Sequence, residues 1–288
     1  MDFLRERRNN GKGPLINPFE ILENPQTQDI QDLLIDFEIP KGNVIVSSLE
    51  EFQNRFNNLT SYFFDDFNWE GITVAGGIIL TSIHPYYQSE YDRSDIDIYF
   101  YGENHQENVE RTISFFARKK IHHTISQFGR TLSFRFNPPY RTVQLILPLF
   151  RDISQVIYTF DIIPAAIAYD GQQLLATEEW KNCLINRYFP ITDEQIFYTP
   201  ERAVYRALKY LKRGFRIQMK DRKISHYENL LLQLSNFDLR KLKSEEKHSG
   251  VEIEFPPKPK ILDIVIDPKI FLERIKLESF KNEFYTAK

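Results

Sequence analysis

The apolar positions Leu49, Phe52, Phe56, Leu59 and Phe63 recur at three- and four-residue steps, which predicts an amphipathic helix over Ser48 to Phe64 with one face against a core. Ser48 is its expected N-cap, and Glu51, three residues on, completes a capping box. The next apolar run, Ile72-Thr73-Val74-Ala75, is short and unbroken, as a buried strand would be. Gly76-Gly77 follows and lets the chain turn tightly into a second helix expected from near Ile78. From Ser94 to Phe100 the pattern alternates, so Asp95 and Asp97 fall on one face of a strand while Ile96, Ile98 and Phe100 fall on the other. A helix is then expected over Asn104 to Lys120, and strands over Thr131 to Phe136 and Arg141 to Leu149, joined by the turn Asn137-Pro138-Pro139-Tyr140. A short helix at Ile153 to Thr159, a strand at Phe160 to Tyr169 and a turn at Asp170-Gly171 complete this part.

Beyond Leu174 the pattern is mainly helical to about Phe237. A charged linker, Lys241 to Gly250, leads to the Pro-rich Phe255-Pro-Pro-Lys-Pro-Lys260, which cannot be regular structure, and a last helix is expected at Pro268 to Phe284. Residues 1–45 read as an irregular extension able to wrap the domain or bind a protein partner. The expected organisation is this extension, a mixed sheet with flanking helices over 46–175, and a mainly helical part over 176–288.

Chemistry enters with the two aspartates. Carboxylates on one face of a strand form a seat for a divalent cation such as Mg²⁺ or Mn²⁺. The glycine turn ahead of them leads into a helix start, where free backbone N–H groups face an anion. Thr81 and Ser82 fall in that helix's early turns, where a hydroxyl bonds either a phosphate oxygen or its own backbone. No Gly-Lys-Ser/Thr ending is present, so the turn is not a P-loop.

In this order, glycine pair, helix and Asp-Ile-Asp strand resemble the signature of the polymerase β-type nucleotidyltransferase superfamily. The segments Arg141-Thr-Val-Gln-Leu-Ile-Leu147, Ile153-Ser-Gln-Val-Ile-Tyr-Thr-Phe-Asp161, Ala168-Tyr-Asp-Gly171 and Tyr205-Arg-Ala-Leu-Lys-Tyr-Leu-Lys-Arg-Gly-Phe215 are similar to a branch of it found beside ankyrin and other interaction modules and in large-virus proteins. The resemblance covers roughly residues 48 to 216. It implies an α/β (α+β) fold of nucleotidyltransferase type with a C-terminal helical part. It also implies transfer of a nucleoside monophosphate from a nucleoside triphosphate by two-metal chemistry, with Asp97 bridging both ions and Asp95 binding mainly the nucleotide's ion.

Many members carry a third acid in the middle of the strand that here reads Thr142-Val143-Gln144-Leu145-Ile146, and Gln144 stands in its place. A neutral amide is a poor Mg²⁺ ligand and no general base, so the role passes to Asp161 or is absent. Asp161 could equally be a structural cap, and Asp170, in a Tyr-Asp-Gly turn, is read as structural. The lost acid supports a second reading, a catalytically silent module of this fold for nucleotide sensing or interaction.

Arg202, Arg206, Lys209 and Arg213 recur at helical spacing and are expected on one basic face, with Lys209 and Arg213 the first candidates to clamp a triphosphate. The acceptor is not legible, RNA being one option among several. His122-His123 is no zinc site, since neighbours on a strand point to opposite faces and no cysteine accompanies them; His84 and His226 are expected at the surface. Ser, His, Asp and Cys show no spacing suited to covalent hydrolysis.

Composition narrows the setting. The 288 residues carry a net charge of −3, which disfavours a protein that coats nucleic acid with its whole surface. Its 1 Cys, Cys183, excludes an internal disulfide and a cysteine zinc cluster. With no apolar run near the ~18 to 20 residues of a membrane span and no signal-peptide core at Met1 to Lys12, a cytoplasmic protein without membrane contact is expected.

Overall fold

The computed structural model describes residues 14–21, 33–35, 44–85, 94–192, 206–207, 209–210, 213–220 and 261–262. In chain order the elements are α1 (Pro18–Ile21), β1 (Leu33–Ile35), α2 (Leu49–Leu59), β2 (Ile72–Ala75), α3 (Gly77–Ile83), β3 (Ile96–Tyr101) and α4 (His105–Lys119). Then come β4 (His123–Phe128), β5 (Thr131–Phe136), β6 (Val143–Phe150), α5 (Ile153–Tyr158), a 3₁₀ turn at Ile163–Ala165, β7 (Ile167–Tyr169), β8 (Leu174–Ala176) and α6 (Glu178–Ile185). The described part ends with β9 (Tyr188–Thr192), β10 (Arg216–Lys220) and β11 (Ile261–Leu262).

Contacts divide the chain into two compact units, the larger containing residues 41–185 and the smaller combining Gln28–Pro40, with β1, and Asn186–Pro259. In the larger unit, among the described residues, eight strands form one mixed sheet in the order β11-β4-β5-β6-β3-β2-β7-β8. Only β3 and β6 run parallel, because α4 and the β4–β5 hairpin carry the chain across between them; the other pairs are antiparallel. This is the mixed α/β sheet with flanking helices that the pattern predicts.

Helix α2 begins where the sequence says. The Ser48 hydroxyl accepts from the Glu51 amide at 3.1 Å. The Glu51 carboxylate reaches back one residue further than a capping box, to the amide and hydroxyl of Ser47 at 2.8 and 2.6 Å; these bonds hold Glu51 below the usual carboxylate range. The helix stops at Leu59, earlier than expected. The Thr60 hydroxyl bonds back to the Phe56 carbonyl, and Ser61 and Tyr62 turn left-handed at φ 54°, which ends any α-helix. Phe63 therefore packs from an irregular segment, against Phe136 at 4.9 Å and Phe116 at 5.4 Å between ring centres.

The core on this side of the sheet is aromatic. Phe52, Phe56, Phe100, Phe116 and Phe134 are fully buried, each worth roughly 1.5 to 3 kcal/mol relative to exposure. Trp69 sits between Phe56, Phe64, Phe67 and Tyr169. Gly171, at φ 94°, turns the chain beneath it, and a Cβ there would lie 2.3 Å from Trp69 Cγ, so only glycine fits. Asp170 caps this turn by accepting from the amides of Gln172 and Gln173, the structural role expected of it.

Both edges of the sheet receive a further segment. Ile16 forms a two-bond bridge to Ala176 of β8, and β11 pairs with β4.

Three expectations change. The strand foreseen over Phe160 to Tyr169 begins only at Ile167, because Ile163-Pro164-Ala165 forms a 3₁₀ turn and proline has no N–H for a ladder. The mainly helical pattern beyond Leu174 is interrupted by β8, β9 and β10, the last two pairing in parallel within a three-stranded sheet β1-β10-β9 of the second unit. His84, expected at the surface, is buried and caps the end of α3. His226, the linker, the Pro-rich segment and the last helix lie outside the described residues.

Candidate nucleotide-binding site

Strand β2 is buried along its whole length, and its end delivers Gly76 at φ 95° and ψ −143°, the N-cap of α3. The Gly76 amide donates to the Ile167 carbonyl at 3.1 Å, which fixes the turn against β7. A Cβ at Gly76 would stand 3.2 Å from Phe160 Cε1 and 3.6 Å from Asp97 Oδ2. The glycine turn and the second aspartate are thus side by side, with the Phe160 ring beside both. Asp97 reaches this place because it pairs with Ala75 across the β2–β3 ladder.

Ile96, Ile98 and Phe100 are buried on the opposite face of β3, as the alternation requires. Asp95 is exposed and Asp97 half-buried. Two residues further on the same face, Tyr99 enters a small cluster with Ala75, Phe150, Val156, Ile157, Ala166 and Ala168, roofed by α5. Its hydroxyl is pushed well above its ordinary pKa, first by burial and then by the negative charge of Asp97. Arg141 fastens the start of β3: its Nε donates to the Leu59 carbonyl at 2.7 Å and its Nη1 to the Ser94 carbonyl at 3.3 Å. Arg141 and Phe160 adjoin the candidate site without having been singled out from the sequence as candidates. The signal for Gln144 lies in its strand position alone.

Gln144 lies directly opposite Asp97 in the parallel β3–β6 pair, and Ser133 lies opposite Gln144 on β5. The Gln144 side-chain amide donates to Asp95 Oδ2 at 3.2 Å. Asp95, Asp97 and Gln144 are therefore gathered on one face, beside the glycine turn. Their oxygen-rich chemistry suits a hard divalent cation. Among the described residues no three His, Cys, Asp or Glu side chains gather to hold a metal ion.

The other candidates fall differently. Thr81 and Ser82 are buried, and their hydroxyls donate to the carbonyls of Gly77 and Ile78, each at 2.9 Å; of the two roles open to them, they take the backbone one. Asp161 is half-buried in the bend between α5 and the 3₁₀ turn, next to Phe160.

In the second unit, residues 206, 207, 209 and 210 are helical, but Arg213 lies in the following turn. Lys209 is exposed, whereas Arg213 is 1% exposed, with its guanidinium 5.2 Å from the centre of the Tyr210 ring. Burial lowers the Arg206 pKa. Arg213 does not share an exposed basic face with Lys209, because it lies buried in a turn. Arg202 lies outside the described residues. No described helix is long and apolar enough to cross a membrane.

Over residues 50–184 the chain matches a family described as "Gad2: Gabija anti-defense 2 family protein". It is 24% identical over 238 residues to "Uncharacterized protein R883" of Acanthamoeba polyphaga mimivirus, covering 73% of this chain and 51% of that protein. Among solved structures it is similar to a CCA-adding enzyme with CTP, with 19% identity, a TM-score of 0.39 and coverage of 67% of this chain and 47% of that one. It is also similar to a tRNA-processing enzyme in apo form, with 14% identity, a TM-score of 0.40 and coverage of 67% and 49%. The chain spans about half the length of each of these relatives.

Proposed function

We propose that the larger unit binds a nucleoside triphosphate with a divalent cation, Mg²⁺ or Mn²⁺, and transfers a nucleoside monophosphate to an acceptor. The observation that carries this reading is the contact between Gly76 and Asp97. The Cβ position of Gly76, held at φ 95°, lies 3.6 Å from Asp97 Oδ2 and 3.2 Å from Phe160 Cε1, so the glycine turn, a carboxylate and an aromatic ring meet at one place. Asp95 and Asp97 would hold the cation, which when bound supplies charge neutralisation at the triphosphate and activation of the attacking oxygen. The chain's own part is positional. The β2–β3 register presents Asp97 to the turn, Gln144 orients Asp95, and Phe160 excludes water from one side of Gly76.

One observation favours a second reading, the silent module. The position of a third acid is held by an amide whose hydrogen bond is committed to Asp95, and such a site can bind a metal-nucleotide complex without completing transfer. The match to a family described as Gabija anti-defense 2 supports a setting in which the module blunts a host defence under either reading.

The experiment incubates the full chain with each labelled triphosphate, Mg²⁺ or Mn²⁺, and a panel of RNA, DNA, small-molecule and protein acceptors. Metal-dependent thermal stabilisation by nucleotides together with label transfer supports the enzyme. Stabilisation without transfer supports the silent module, and no stabilisation by any nucleotide overturns both.

A further inference from the structure

Between Glu110 and Asp152 the chain runs forty-one residues without an aspartate or glutamate while carrying eight Lys or Arg, although 40 of its 288 residues are acidic. This segment folds into most of α4, which holds Arg111, Arg118 and Lys119 with Lys120 as its C-cap, and into β4, β5 and β6, three strands lying side by side next to β3, where Arg135 stands on β5. One face of β5 is core, with Leu132, Phe134 and Phe136 buried. The other carries Thr131, Ser133 and Arg135, paired with Phe128, Ser126 and Thr124 of β4; Arg135 and Thr124 are exposed, and Phe128 is 57% exposed. Directly opposite residues on neighbouring strands share a face, so the row Ser126, Ser133, Gln144, Asp97 makes this face continuous with the candidate site. Among the described residues it is a platform of hydroxyls with no acid until Asp95 and Asp97. An exposed aromatic ring stands at one end and a guanidinium four residues along the neighbouring strand, about 13 Å away along the sheet.

From this face we infer that β4, β5 and β6 bind single-stranded nucleic acid and lead it toward Asp95 and Asp97. An open ring offers a stacking surface to any base, a guanidinium pairs with phosphate, and hydroxyls suit sugar and phosphate oxygens. Charge selects the partner through Arg135, while β4, β5 and β6 carry no carboxylate to repel a polyanion. A duplex hides the faces of its bases and cannot use Phe128. The binding stands on this face alone; that the bound strand is the acceptor rests on the transferase reading above.

The test measures fluorescence anisotropy of labelled 12-nucleotide single-stranded RNA, the same DNA and the corresponding duplexes with the full chain across a salt series. Wild-type protein should bind single strands more tightly than duplex, RNA and DNA arms reporting which sugar is preferred. Phe128→Ala should weaken single-strand binding about tenfold, the scale of losing one stacked base, and Phe128→Trp should retain it. Arg135→Ala should weaken it and reduce the slope of log K against log salt by about 1. Both side chains are exposed, so thermal melting should be unchanged and report an intact fold. Absence of single-strand binding, equal binding of duplex, displacement by polyglutamate as effective as by RNA, or variants that bind like wild type would each overturn the inference. Nucleotide stabilisation is scored separately. If it is lost while Phe128-dependent binding stands, the transferase reading alone fails; if it persists while the oligonucleotide ignores both variants, this inference alone fails.

Discussion

The side-chain amide of Gln144 donates a hydrogen bond to Asp95 Oδ2 across 3.2 Å, from the strand position directly opposite Asp97. A neutral donor thus stands where a third negative charge would crowd two existing ones. It screens Asp95 and fixes its direction.

Gln144→Asp should lower metal-free stability by about 1 kcal/mol, the equivalent of roughly one pKa unit of like-charge repulsion. Mg²⁺ should then stabilise the variant more than the wild type. Thermal melting with and without the cation checks both signs, and a variant indifferent to Mg²⁺ would show that these three positions do not share an ion.

Asp95→Ala combined with Asp97→Ala should abolish metal-dependent nucleotide stabilisation and any transfer while leaving the metal-free melting temperature unchanged or slightly higher, because two neighbouring like charges are removed. If Asp161 supplies the third acid, Asp161→Asn should cut turnover by orders of magnitude with little change in nucleotide affinity. Single-turnover transfer alongside equilibrium binding separates the two effects.

Gly171→Ala should destabilise the larger unit by about 2 to 5 kcal/mol, combining a left-handed backbone cost with overpacking against Trp69. Gly129→Ala is the comparison. It also sits at positive φ but faces nothing within 4 Å, so it should cost only about 1 kcal/mol. Chemical denaturation of both variants measures the difference that the Trp69 contact makes.

His105, at the start of α4, is buried with its ring against Phe100. Burial holds its pKa below the ordinary 6.5, partly offset by a hydrogen bond to the Leu147 carbonyl. Among the described residues its Nε2 meets no hydrogen-bond partner. Because the folded pKa is lowered, the unfolded chain binds the proton first. Stability contributed by neutral His105 is complete above pH 6.5 and falls as the pH drops through 6.5 toward the lower folded value. His105→Phe should flatten that part of a stability-against-pH curve, and a curve unchanged by the substitution would exclude His105 as its source.

Lys209 and Arg213 should separate in their effects. Arg213→Ala empties a buried site over Tyr210 and should destabilise the second unit by about 2 to 4 kcal/mol. Lys209→Ala, exposed, should leave melting unchanged, because no buried contact is lost. Thermal melting of both variants resolves the pair.

What the sequence determined by itself was whatever rests on neighbours along the chain. Ser48 and Glu51 mark the start of α2, Gly76-Gly77 the turn out of β2, and the alternation from Asp95 to Phe100 the face that carries the acids. Each follows from local rules: a hydroxyl three residues from an amide, a residue without Cβ, a two-residue period. Tertiary structure decided what depends on partners far away in sequence. The parallel register of β3 and β6, set by an intervening helix and hairpin, puts Gln144 opposite Asp97. The packing of α3 into the core turns the hydroxyls of Thr81 and Ser82 back to their own helix. The turn at Arg213 and Gly214 goes with the burial of a charge that helical spacing assigned to the surface, and β9 and β10 pair across more than twenty residues that no local period connects. Strand register and burial are energies of the assembled sheet, so they exist only once the chain has brought both partners together.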